Sequence, residues 1–235
     1  MKLRTRVVLQ LATLCLALGA SSFAADAYLY VVHGIPGRDI ADNLNPGLPV
    51  DVAISGECPV HGLTFGSTTG PFTLSAGTYT VQIGMANTLA PCTNAPLITS
   101  QVTLTSGASV SAVAAISGGQ PALLTFADNL SPIIPAHARF IFAQSADAPA
   151  LQATLTQLYV TSPKTFTVTA APSAEQAVVV PVGTYLVQVV ASGTTTVLTS
   201  EQIGLADQSA AFTYAAGEAA NNSVGLVDRT IRDVF

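Results

Sequence analysis

The chain has 235 residues, 49% of them hydrophobic and only 9% charged, with a formal net charge of −5. Its eight basic residues are too few and too scattered for the clustered cationic surface that nucleic acid or an anionic membrane face requires, which excludes both as partners. It has no tryptophan and 15 phenylalanines and tyrosines in all, which speaks against an outer-membrane barrel with its aromatic girdles, even though the chain ends in Phe235.

In chain order the first predicted element is an export signal, residues 1–24. Lys2, Arg4 and Arg6 form a basic start, residues 7–18 are an apolar run of about 12, and Ser22-Phe23-Ala24 places small residues where a signal peptidase reads, predicting cleavage after Ala24. No later stretch has the roughly 20 uninterrupted apolar residues of a membrane span, so no transmembrane segment is expected after cleavage. Removing the segment takes away three of the eight basic residues and none of the 13 acidic ones, leaving a net charge of −8. It also removes Cys15, which follows Leu14 where lipoprotein processing wants a small residue. Cys58 and Cys92 remain as an even pair, predicting a disulfide in an oxidising compartment. That bond would close a loop of 35 residues, for which the chain-entropy model gives about 4 kcal/mol at most. A metal site at the cysteines lacks any histidine or third cysteine at ligand spacing.

From residue 28 onward the sequence reads as short β-runs bounded by Gly, Pro, Ser, Asn or Asp. Strands are predicted at 28–33, 50–54, 78–83, 102–104, 110–116, 140–143, 166–169, 178–180, 185–189, 196–198 and 212–214. Single helical turns are predicted at 39–44 and 218–222. Within 78–83, Tyr79, Val81 and Ile83 alternate with Thr78, Thr80 and Gln82, the period of a half-buried strand, and Tyr185, Val187 and Val189 repeat it.

The chain is a tandem duplication. Gly77-Thr78-Tyr79-Thr80-Val81-Gln82 recurs 106 positions later as Gly183-Thr184-Tyr185-Leu186-Val187-Gln188. Segments 28–33 and 139–144, 49–55 and 150–156, and 98–100 and 198–200 repeat in the same order around it. The predicted organisation is a first copy at 25–128, a short proline-stiffened linker at 129–137 and a second copy at 138–235. The first copy carries two insertions, one around residues 37–47 and one that contains Cys92. Spacing and period together predict an all-β protein of two tandem antiparallel β-sandwich domains.

Candidate sites are few. The Leu74-x-x-Gly77-x-Tyr79 and Val180-x-x-Gly183-x-Tyr185 patterns predict tyrosine corners, in which a hydroxyl folds back onto an upstream backbone group and the glycine lets the chain turn under the ring. Gly77, Tyr79, Gly183 and Tyr185 are therefore read as structural. His33, His61 and His137 have no ligand partner at helix or hairpin spacing. There is no Gly-x-Ser-x-Gly elbow and no phosphate-cradling glycine loop, so no catalytic residue and no cofactor is assigned. A spatial Ser-His-Asp site built from His33 and Asp51 is the enzymatic alternative, a secreted hydrolase. The oxygen-rich loop bearing Asp39, Asp42, Asn43 and Asn45 is a weak calcium candidate without EF-hand spacing. With so few charges the strands must show Thr, Ser, Ala and Gln to solvent, a surface suited to neutral partners such as a polysaccharide or protein of the envelope, or to self-association through edge strands.

Val31-Val32-His33, Pro49-Val50-Asp51-Val52, Gly77-Thr78-Tyr79, Asp147-Ala148-Pro149-Ala150 and Gly183-Thr184-Tyr185 resemble, in this order, a family of secreted bacterial proteins named only as domain of unknown function 4397. The resemblance spans nearly all of the chain beyond residue 24. It implies an extracytoplasmic immunoglobulin-like sandwich in each copy and supplies no activity or site residue. The chain departs from the pattern in the long loop between His33 and Asp51, and in carrying Gln144 and Gln152 at the His and Asp positions of the second copy. The expectation is an exported, non-enzymatic structural or binding module.

Overall fold

The computed structural model describes residues 25–232 and residue 234. The predicted signal, Cys15 with it, and Phe235 lie outside the described residues. In the first copy β1 (Ala27–His33), β4 (Thr68–Leu74), β7 (Ser109–Ser117) and β8 (Gln120–Ala127) form a sheet in the order β4-β1-β7-β8. Facing it, β2 (Val50–Ile54), β3 (Glu57–Leu63), β5 (Gly77–Met85) and β6 (Pro96–Leu104) form a sheet in the order β3-β2-β5-β6. The second copy repeats this strand for strand. Its β9 (His137–Gln144), β12 (Glu175–Pro181), β15 (Ala210–Ala216) and β16 (Gly225–Ile231) take the order β12-β9-β15-β16. Its β10 (Leu151–Gln157), β11 (Thr165–Ala170), β13 (Gly183–Ala191) and β14 (Val197–Leu205) take the order β11-β10-β13-β14.

The sheets are not wholly antiparallel. The opening strand of each copy lies between the fourth and seventh and runs parallel to the seventh, β1 with β7 and β9 with β15. Of the strands not predicted, β3, β4, β8 and β16 are edge strands and β10 lies inside its sheet, while β12 extends the run predicted at 178–180; β4 contains Gly70 and Pro71, which an edge tolerates. Residues 37–39 form a single 3-10 turn, and residues 218–222 a turn closed by Ser223 N–H donating to Glu218 O.

Each sandwich has its own core. Leu29, Val31, Val52, Val81, Ile83 and Ile116 fill the first; Phe140, Phe142, Leu151, Leu155, Tyr185 and Val187 fill the second. A third core joins them. Val32, Val113 and Phe126 from the first copy pack with Ile141, Phe212, Tyr214 and Val227 from the second. The sheets containing β1 and β9 therefore meet face to face and are buried on both sides. That explains why β7, β9 and β15 are buried along nearly their whole length, with apolar runs at 112–116 and 140–143, where the outer strands alternate. Small residues allow the approach: a Cβ on Gly34 would sit 2.8 Å from the Ala114 carbonyl oxygen and 3.0 Å from Ala216 Cβ. Residues 129–136 are not a free spacer. Leu130 and Ile133 pack into the shared core, and the Arg139 guanidinium donates to the carbonyls of Asn129 and Ser131.

Polar pinning reinforces this interface. Arg229, on β16, reaches into the first copy and pairs with Asp128 at 2.7 Å, with both side chains buried. The same nitrogen donates to Ser111 Oγ and Tyr214 Oη, and the guanidinium lies 3.8 Å over the Tyr30 ring and 4.2 Å over Phe212. Ser109 and Ser111 also donate to Asp128, while Arg229 Nε and Nη1 are buried without a hydrogen-bond partner. Burial without these partners would be prohibitive for either charge. At the opposite end of the strands Arg38 donates to the Asn222 carbonyl and the Asp147 carboxylate accepts from Gly119 N–H, each bond crossing between copies.

Candidate functional site

His33 and Asp51 are both buried, and each is engaged by backbone rather than by the other. His33 Nε2 lies 2.7 Å from the Leu48 carbonyl oxygen, which can only accept, so Nε2 carries the proton and Nδ1 accepts from Ile35 N–H at 3.3 Å. Burial lowers the imidazole pKa and outweighs the opposing pull of the Leu48 carbonyl, which favours the neutral ring that these two bonds define. The second copy explains the role. Gln144, at the equivalent position, accepts from Ala146 N–H with Oε1 and donates to the Pro149 carbonyl with Nε2 at 3.0 Å. Ile35 and Ala146 are each two residues on, and Leu48 and Pro149 sit at matching positions before β2 and β10. An amide makes the same two bonds as the imidazole, so in both copies the side chain is a two-point clamp on the backbone. We predict that His33→Gln leaves stability within about 0.5 kcal/mol of wild type, whereas His33→Ala strands two buried backbone groups and costs about 1–3 kcal/mol in urea denaturation.

Asp51 holds the insertion unique to the first copy. Its carboxylate accepts from the backbone N–H groups of Gly62, Asn87 and Cys92, each at 3.0 Å. Burial alone would raise its pKa; the three donors overcome that and hold it below the ordinary carboxylate value. Cys58 and Cys92 are bonded, with Cα atoms 6.1 Å apart. Gln152, the counterpart of Asp51, has no such loop to hold and contacts Thr169 Oγ1 instead.

The two motif tyrosines each donate to the carbonyl four residues upstream, Tyr79 to Ser75 and Tyr185 to Pro181, both at 2.8 Å. The glycines differ. Gly183 has φ +150°, a conformation that favours glycine, whereas a Cβ on Gly77 would make only an ordinary 3.7 Å contact with the Tyr79 ring. Tyr185→Phe and Tyr79→Phe are each expected to lose about 0.5–2 kcal/mol, with the larger loss at the fully buried Tyr185, read as a shift in urea midpoint at constant m.

The four calcium candidates are only partly free. Asp39 Oδ1 accepts from Asn221 Nδ2 and Oδ2 from Ser223 Oγ, both in the second copy, and Asn45 Oδ1 accepts from Gly47 N–H. Asp42 and Asn43 are exposed. Among the described residues no three His, Cys, Asp or Glu side chains are grouped to hold a metal ion. A site half-saturated far below millimolar calcium would add about 2.7 kcal/mol at a hundredfold excess over Kd. We predict superimposable thermal melts in millimolar calcium and in chelator.

The model of the family described as domain of unknown function (DUF4397) matches residues 27–154, the whole first copy and the opening of the second. The chain belongs to this family. No curated protein matches it. Among solved structures, a "putative cell adhesion protein" from Bacteroides ovatus aligns at 7% identity and TM-score 0.31, covering 89% of this chain and 98% of that one. Another from Bacteroides fragilis, described in the same words, aligns at 10% identity and TM-score 0.26 with the same coverage. At these scores nothing is transferred from either.

The feature of this DUF4397 chain that sequence reading missed is an open apolar groove at one end of the first copy. Ile54, Pro59, Pro71, Phe72, Leu74 and Tyr79 line a space of about 480 Å³ between the edges β3 and β4, with Glu57 at its rim. In the second copy this place is filled. Phe166 pairs with Leu155 as Glu57 pairs with Ile54, and it packs edge-on against Tyr185, ring centroids 6.2 Å apart. The signal was in the sequence as a charge at a position where the other repeat has an aromatic, but only the strand register aligns the two residues.

Proposed function

We propose that this protein is an exported, non-enzymatic module that binds or scaffolds other components of the cell envelope or extracellular space, through the groove of its first copy. One observation carries the reading: the polar side chains best suited to chemistry are committed to the fold, while an apolar groove filled in one copy is left open in the other. Both functional atoms of His33 and both carboxylate oxygens of Asp51 hold backbone, which leaves the hydrolase alternative without a base or an orienting acid. Export is supported by the basic, apolar and small-residue segments of residues 1–24 and by the Cys58–Cys92 bond. Among the described residues no helix is long and apolar enough to cross a membrane. The apolar lining favours a protein side chain over a polysaccharide, whose hydroxyls would be desolvated there without partners.

The test is fractionation of the producing cell with N-terminal sequencing, followed by binding of the purified mature protein to its own envelope fraction. The expected results are a mature start at Ala25, and capture that Glu57→Phe abolishes and His33→Gln preserves. Capture indifferent to Glu57→Phe, or a hydrolytic activity lost in His33→Gln, would overturn the reading.

A further inference from the structure

The groove has a complement on the chain itself. Residues 158–164 form the loop between β10 and β11, closed at its base by Gln157 N–H donating to the Lys164 carbonyl and Leu158 N–H to that of Thr184. One residue beyond that base Tyr159 is 84% exposed, against 40% for Tyr28, the other exposed aromatic among the described residues. Its presentation is fixed. The backbone sits at φ +59°, and the hydroxyl accepts from Gln202 Nε2 at 2.9 Å. A non-glycine residue at this φ carries local backbone strain, and here it holds an aromatic ring in water.

We propose that the 158–164 loop of one chain docks into the first-copy groove of a second copy, with the Tyr159 ring taking against Tyr79 the place that Phe166 takes against Tyr185. Resting on the groove-binding reading above, this names the partner. Shape supports it, because the second copy shows that this corner accepts an aromatic edge packed on the corner tyrosine. Charge supports it too. Glu57 stands at the groove rim, and Lys164, the only lysine beyond residue 24, stands at the base of the loop. Unlike charges brought together at the rim of an apolar contact steer association and set its register. The contact is heterologous: each chain in a pair still has one free groove or one free loop, so association closes into a ring or continues as a filament.

The experiment is sedimentation velocity on the mature protein from about 1 to about 500 µM, where micromolar contacts populate. Wild type is expected to gain mass with concentration. Tyr159→Ser, which removes the anchor, and Glu57→Phe, which fills the groove from within, are each expected to stay monomeric, with circular dichroism confirming that both are folded. Glu57→Lys and Lys164→Glu are each expected to weaken association at least tenfold, and their equimolar mixture to restore it, because each groove then meets a loop of opposite charge. A wild type that is monomeric throughout, or an association untouched by Tyr159→Ser, overturns the proposal. If wild type is monomeric yet Glu57→Phe still abolishes envelope capture, the groove binds another protein, and only this inference fails. Loss of neither association nor capture in Glu57→Phe sinks both.

Discussion

Replacing Arg229 by methionine is expected to destabilise the protein by about 3–5 kcal/mol, among the largest effects available to a single substitution, because it leaves the Asp128 carboxylate buried with its cation gone. Most of that loss comes from the stranded charge. Asp128→Asn in the same chain should therefore recover part of it, giving a double-mutant cycle with a coupling of about 0.5–3 kcal/mol. Since Asp128, Ser111 and Tyr30 belong to one copy and Arg229, Tyr214 and Phe212 to the other, the cluster ties both sandwiches to one unfolding event. Calorimetry of wild type should show one transition, and of Arg229→Met one at lower temperature. Two transitions in Arg229→Met, the upper one at the wild-type temperature, would mean that the copies unfold independently and that the shared core contributes little.

The same cluster marks what could be read from the chain and what could not. Period-two alternation in 78–83 and the repeated Gly-Thr-Tyr segment reveal the strands, the duplication and the tyrosine pair, because those signals are local. Arg229 carries no local signal. Among five dispersed basic residues it looks like surface charge, yet Arg38, Arg139 and Arg229 all hold the two copies or the segment between them. In a chain this poor in charge, each buried or bridging cation is an anomaly that only tertiary partners account for. A local clue did exist in the apolar runs 112–116 of β7 and 140–143 of β9, which in a sheet with one wet face would have alternated. His33 shows the converse. The histidine invites a chemical reading, but its counterpart Gln144 makes the same bonds, and that equivalence appears only when both hydrogen-bond sets are compared.

Removing the Cys58–Cys92 bond is the second large effect expected. Double substitution to serine should cost up to about 4 kcal/mol for the closed loop and lower Tm by roughly 8–16 °C if the copies unfold together. Intact mass should first rise by about 2 Da on reduction of the wild type, the two hydrogens of a single cleaved disulfide. The loss should arise chiefly in the unfolded chain, because Asp51 grips Asn87 and Cys92 from the far side of the loop and keeps it in place without the sulfur link. That grip requires a carboxylate. A carboxyl whose pKa is depressed on folding contributes stability above its unfolded value, here 3.8, and loses it progressively as pH falls through that value toward the lower folded one. The serine double variant should accordingly match wild type in loop structure at neutral pH but lose it on acidification below about pH 4, where the disulfide still holds the wild-type loop. Amide exchange at residues 87–92 reads this directly. Fast exchange there in the neutral serine variant would show that the disulfide alone orders the loop and that Asp51 merely follows it.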